Sequence, residues 1–186
     1  GYANHNTTTS VSANITINRK EIAVPTCTAK TYNGSSQTLF ASGTGYTAGG
    51  TTSGTNAGTY TATATPTANY QWNTTSNKTS ATNVTCKINP KSVAVTWGST
   101  TTFTYNGSAQ APTASVTTGI SAETMSVTRT TQTNAGSNYT STASCSSVSG
   151  GQAKCANYTL TGTTKTFTIN RKEIAVPTCT AKTYNG

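Results

Sequence analysis

The eighteen residues Ile17–Gly34, INRKEIAVPTCTAKTYNG, recur letter for letter at Ile169–Gly186, 152 positions further along the 186-residue chain. One active site needs one set of residues, so a duplicate of this length points to a repeated structural unit and not to a catalytic motif. A weaker relative lies between the copies. From Ile88 the chain reads INPKSVAVTWGSTTTFTYNGSAQAPTA, sharing IN-x-K, a Val/Ala-rich run and Tyr-Asn-Gly with the duplicated block. Starts at Ile17, Ile88 and Ile169 divide the chain into one repeat over 17–87, a second over 88–168, and the truncated start of another over 169–186. Residues 1–16 read as the C-terminal strand or strands of a preceding repeat.

The local pattern inside each repeat is that of β-strands. Tyr60, Ala62 and Ala64 alternate with threonines, as in a half-buried antiparallel strand. Val84, Cys86 and Ile88 share one face, as do Val93, Val95 and Trp97. Asn33-Gly34 and Asn106-Gly107 are turn signals. Threonine makes up 47 of the 186 residues, which could signal disorder, but only 8% of residues are charged and nine are tyrosine. With many β-branched residues in alternating runs, that balance suits strands. Short strands separated by turns, with no helical periodicity, predict an all-β chain of sandwich domains. Trp97 is expected in a core by its register, whereas Trp72 is either core or a platform for stacking sugars. Tyr32, Tyr105 and Tyr184, each preceding Asn-Gly, are expected to pack.

The inventory of side chains leaves little for catalysis. Lys and Arg number 12 against three acids, the net charge is +9, and His5 is the single histidine. There is no aspartate, and the acids are Glu21, Glu123 and Glu173. General acid–base work, a Ser-His-Asp relay and a two-carboxylate glycosidase site all need residues that are missing. Clustered ligands for zinc or calcium are missing as well. No enzyme, no catalytic or metal-binding residues and no cofactor are therefore expected. No stretch approaches the roughly 18 apolar residues of a membrane helix, so no membrane span is expected. Arg19, Lys20, Lys87, Lys91, Arg171 and Lys172 gather at the expected junctions between repeats. They form either a basic ladder for anionic surface polysaccharide or solvated charge that discourages edge-to-edge strand pairing. Aromatics do not interleave with them, so nucleic acid is not an expected partner. Lys and Asn for a spontaneous isopeptide crosslink abound, with Glu21 and Glu123 as the candidate acids.

The five cysteines make sense on the repeat. Cys27 and Cys86 occupy positions matched in the second repeat by Gly98 and Phe167, so both are present in one repeat and both absent from the other, as expected of a bonded pair. Cys145 and Cys155 flank SSVSGGQAK in an expanded connection, and their disulfide would close it. Cys179 repeats Cys27, with its partner expected beyond the chain end. Such disulfides are expected in a chain outside the cell, where small domains with few large apolar residues need staples; the alternative is five buried free cysteines in a reducing compartment. Nine Asn-x-Ser/Thr triplets occur, of which Asn73, Asn77 and Asn138 are the candidate glycosylation sites.

FTYNGSAQAPTA (Phe103–Ala114), AGTYTATA (Ala57–Ala64) and ANYQW followed by VTCKIN resemble the MBG-type bacterial immunoglobulin-like repeats. YANHNTTTSVSANITIN, near the start of the chain, resembles the tail of a further unit. The resemblance implies tandem immunoglobulin-like β-sandwich domains, found in large secreted or surface-anchored bacterial proteins, that serve as spacers or adhesive stalks without catalytic residues. TKTFTINRKEIAVP carries no Gly/Ser linker, which favours a rod-like array over beads on a string. The expected function is a non-enzymatic structural segment of an extracellular fibre or adhesin stalk at the cell surface. The alternatives are a glycan- or matrix-binding module of a surface adhesin, or a laterally self-assembling filament subunit. Expected partners are further copies of the same repeat in the same chain, neighbouring fibre chains, and anionic surface polysaccharide.

Overall fold

A computed structural model of the chain describes residues 12–151 and 154–186. The described residues form fifteen strands and one 3-10 turn, with no α-helix. The first eight strands are β1 (Lys20–Ile22), β2 (Lys30–Thr31), β3 (Gln37–Thr38), β4 (Tyr46–Gly50), β5 (Ser53–Gly54), β6 (Gly58–Pro66), β7 (Tyr70–Trp72) and β8 (Thr82–Asn89). They build a sheet in the order β2-β8-β6-β4 and two short pairs, β1-β7 and β3-β5. The remaining seven are β9 (Lys91–Trp97), β10 (Thr102–Thr104), β11 (Ala114–Val116), β12 (Thr124–Arg129), β13 (Gly136–Ser149), β14 (Tyr158–Thr161) and β15 (Thr164–Asn170). These build sheets in the orders β10-β15-β13-β12 and β11-β9-β14.

The two groups follow one plan. In each, an antiparallel central pair (β6 with β8, β13 with β15) gains a short parallel neighbour, β2 on β8 and β10 on β15. The opening strand pairs in parallel with a later one, β1 with β7 and β9 with β14. Among the described residues no strand pair joins a strand before Pro90 to one after it. Pro90 alone separates β8 from β9. Lacking an N–H, it cannot extend a ladder and breaks one strand from the next.

Alternation explains the burial. Val84, Cys86 and Ile88 of β8 are 3%, 1% and 0% exposed, while the intervening Thr, Lys and Asn residues face outward or lie half-buried. Ala62 and Ala64 of β6 are completely buried. Phe167 stands opposite Tyr139 as Cys86 stands opposite Tyr60, so a phenyl ring replaces the cysteine in the second group. Trp72 lies in the core with its indole N–H donated to the Ser80 carbonyl at 3.0 Å, which removes it as a sugar platform. Trp97 is only half-buried. At the end of β9 it runs past the edge of the core, and its N–H reaches the Gly162 carbonyl at 2.8 Å.

The duplicated block takes two different structures. Ile169, next to last in β15, is 1% exposed, whereas its twin Ile17 is 92% exposed. Tyr32 is 1% exposed and its twin Tyr184 is 91% exposed. Ile88 and Asn89, placed by sequence at the head of a repeat, are the last residues of β8 and pair backward onto β6 and β2. Residues 12–19 and 171–186 carry no strand. Most of the tail strand expected over 1–16 lies outside the described residues.

Candidate functional site: a buried carboxylate between the two strand groups

Glu123 sits at the end of the connection from β11 to β12. Its own N–H donates to the Ile120 carbonyl at 3.0 Å. The buried Thr118 hydroxyl lies 2.9 Å from the Glu123 carbonyl oxygen and accepts the Ile120 N–H at 3.2 Å. This tight turn directs the Glu123 side chain inward, where the residue is 6% exposed. A carboxylate buried that far must be hydrogen-bonded, and two tyrosines serve it. Tyr32, from the first group, donates its hydroxyl to Oε1, and Tyr158, from the second, donates to Oε2 at 2.5 Å. The two rings meet edge to face with centroids 5.5 Å apart. Burial, then the bond to the Glu123 carboxylate, pushes the Tyr32 hydroxyl up to about 12. The same causes raise Tyr158 still further.

A second polar contact lies alongside. Asn157, 1% exposed, accepts the Ala57 N–H on its side-chain oxygen at 2.8 Å and donates its amide to the Asn56 side chain at 2.9 Å. Asn157 ends the 3-10 turn Cys155–Asn157, whose first residue is bonded to Cys145 of β13 with Cα atoms 5.8 Å apart. That disulfide therefore anchors the segment that reaches across to the first group. Gly34, at φ +81°, brings the Asn33-Gly34 turn so close that a Cβ would stand 2.9 Å from Ile120 Cγ2. Gly150, at φ +89°, passes under the same connection, where a Cβ would overlap the Ala122 carbonyl oxygen. The arrangement holds no nucleophile paired with a base. It is a polar clasp whose chemistry is to fix one strand group against the other.

Of the residues singled out by sequence, His5 lies outside the described residues. Cys27 is joined to Cys86, their Cα atoms 5.1 Å apart. Cys179 is exposed and free. Asn73, Asn77 and Asn138 are all exposed, the last two with left-handed backbone at φ 53° and 58°. The Asn157 triplet is buried within the clasp and offers no acceptor in the folded chain. Glu21 lies half-exposed in an ion pair with Lys78 at 2.7 Å and accepts the Gln71 amide at 3.1 Å. Lys78 holds its carboxyl below the usual carboxylate range. Glu21 is open to water, and the Glu123 carboxylate is held by the two tyrosine hydroxyls and not by a lysine, so among the described residues neither acid bridges a Lys–Asn pair as an isopeptide site requires. Tyr105, expected to pack, is 39% exposed.

Sequence reasoning missed the clasp. Two signals were present: a carboxylate is conspicuous in a chain with only three acids, and Ala-Asn-Tyr occurs at both 68–70 and 156–158. No helix among the described residues is long and apolar enough to cross a membrane. Compared with known proteins, the chain matches no family model, no curated protein and no solved structure.

Proposed function

We propose that this chain is a non-enzymatic structural segment of an extracellular fibre or adhesin stalk. In this reading it consists of tandem immunoglobulin-like sandwiches of the MBG type, sequence repeats 17–87 and 88–168 with Ile88 and Asn89 completing the last strand of the first, stapled by Cys27–Cys86 and Cys145–Cys155. The observation that carries the reading is the combination of self-contained strand pairing on either side of Pro90 with a buried polar clasp across it. A one-residue connection and a clasp of buried hydrogen bonds leave neighbouring repeats little freedom, which is what a spacer requires. Bonded cysteine pairs suit an oxidising, extracellular setting. The mechanism is geometric: each repeat adds about 30–40 Å of length, and a pair about 60–80 Å.

Two measurements test this. Electron microscopy of tandem copies of residues 17–168 should show stiff rods with an axial period in that range, and freely jointed beads of variable spacing would refute the rod. Non-reducing mass spectrometry of the natural material should find Cys27–Cys86 and Cys145–Cys155 crosslinked. All cysteines as free thiols would remove the extracellular, stapled reading.

A further inference from the structure

The features that seat the second strand group on the first occur again at the far end of the second group. Tyr105 N–H donates to the Asn170 carbonyl at 2.9 Å, as Tyr32 N–H donates to the Asn89 carbonyl at 2.9 Å. The Asn106 side chain accepts the Ser108 N–H at 2.9 Å, as Asn33 accepts Ser35 at 3.0 Å. Gly107 and Gly34 have φ +82° and +81°. Asn134-Ala135-Gly136 repeats Asn56-Ala57-Gly58, each with a tyrosine hydroxyl on the asparagine carbonyl, Tyr139 at 3.3 Å and Tyr60 at 2.6 Å. The two ends differ in what covers them. A Cβ on Gly34 would meet Ile120, whereas one on Gly107 meets nothing within 4 Å. Tyr105, Asn134 and Ala135 instead border a hollow of about 460 Å³, together with Arg171, Lys172 and Ile174.

The complementary half exists on the first group. Tyr158 opens β14 and pairs with Lys91 of β9, and Tyr70 opens β7 and pairs with Lys20 of β1 in the same parallel sense. Asn157 and Tyr158 therefore correspond to Asn69 and Tyr70. Asn69 is exposed and Tyr70 half-buried.

We propose that the Tyr105–Asn134 face is the seat of a following repeat of the 17–89 kind, gripped through that repeat's copies of Asn69 and Tyr70. The proposal rests on the tandem-repeat reading above and adds to it a specific contact. Residues 169–186 identify the occupant, because they duplicate the opening of the 17–89 unit and leave β15 beside the hollow. The copied Asn69 takes the part of Asn157, accepting the Ala135 N–H and donating to the Asn134 side chain. The copied Tyr70 comes beside Tyr105. The carboxylate does not carry over. Glu123 lies in the stretch leading into β12, whereas the stretch leading into β4, Ala41–Gly45, has no acid. The array thus alternates two contacts, one built around a buried carboxylate and one without it.

Appending residues 35–89 after Gly186 completes the following repeat and permits a direct test by NMR-detected amide hydrogen exchange. The Ala135 amide should exchange about tenfold or more slowly than in the 186-residue chain. Asn→Ala at the appended copy of Asn69 should restore the faster rate, while Ala57 keeps its protection through Asn157. If the appended repeat folds, with its own strand amides protected, yet Ala135 exchanges as before, the docking proposal fails and the tandem-repeat reading stands. If the appended residues do not fold at all, both fall together.

Discussion

Glu123→Gln tests the clasp at its centre. The carboxylate accepts hydroxyl protons from Tyr32 and Tyr158 at a site where Glu123 is 6% exposed and Tyr32 is 1% exposed. The amide keeps the shape and one acceptor oxygen, but its NH2 faces the second hydroxyl, which must rotate to accept. Two charge-assisted bonds, each worth about 1.5–3 kcal/mol, become two neutral ones worth about 0.5–1.5 kcal/mol. The expected loss is about 2 kcal/mol. Urea unfolding followed by tryptophan fluorescence suits the measurement, because Trp72 reports on the first strand group and Trp97 on the second. With a slope on the order of 2 kcal/mol/M, the midpoint should fall by about 1 M. A double-mutant cycle between Glu123→Gln and Tyr32→Phe should return a coupling of about 1 kcal/mol. A midpoint shift under about 0.25 M, or zero coupling, would show that the carboxylate does not hold the two groups together.

The tyrosine hydroxyls also set an alkaline limit. A hydroxyl whose folded value is raised contributes stability that is complete below its ordinary value near 10 and is lost as pH climbs through the folded value, about 12 for Tyr32. Stability should therefore fall steeply above about pH 10, and less steeply in the Tyr32→Phe/Tyr158→Phe double variant, as read by thermal melts across that range. Gly34→Ala and Gly107→Ala form a matched pair at nearly equal φ. Both incur the left-handed penalty of about 1 kcal/mol, and only Gly34→Ala also pushes on Ile120, so it should be the more destabilising by about 1 kcal/mol in urea titrations. Removing Cys27–Cys86, which spans 59 residues, should cost about 4 kcal/mol, against about 2.5–3 kcal/mol for Cys145–Cys155, which spans 10. Loss of the second bond should in addition speed hydrogen exchange at the Ala57 amide, since it frees the turn carrying Asn157; an unchanged Ala57 rate would confine that disulfide to its own connection.

The all-β class and much of the core were legible because strand alternation is a local property. Ala62, Ala64, Val84, Cys86 and Ile88 are buried as their spacing predicts, and a cysteine pair shared by one repeat and missing from the other implied a partner. Trp97 shows where that reasoning stops: its register points inward, but alternation does not say where a core ends along a strand. The clasp was illegible for a different reason. Its members come from positions 32, 56–57, 123 and 157–158, and nothing in the chain order announces that a loop acid and two separate tyrosines will converge.

The duplicated block separates the two kinds of determination most cleanly. Ile17–Gly34 and Ile169–Gly186 have identical local preferences, so the sequence by itself established that a unit recurs and what its strands and turns are made from. It did not decide burial. Ile169 is covered because Ala111, Phe167, Phe103 and Tyr139 pack into one cluster with it, while Ile17 stands outside every strand. Tyr32 is enclosed because Glu123 and Tyr158 close over it, whereas Tyr105, in the same turn, and Tyr184, in the same sequence, are left open. Burial and hydrogen bonding belong to pairs of surfaces, and which surface a residue meets is settled only when distant segments are brought together.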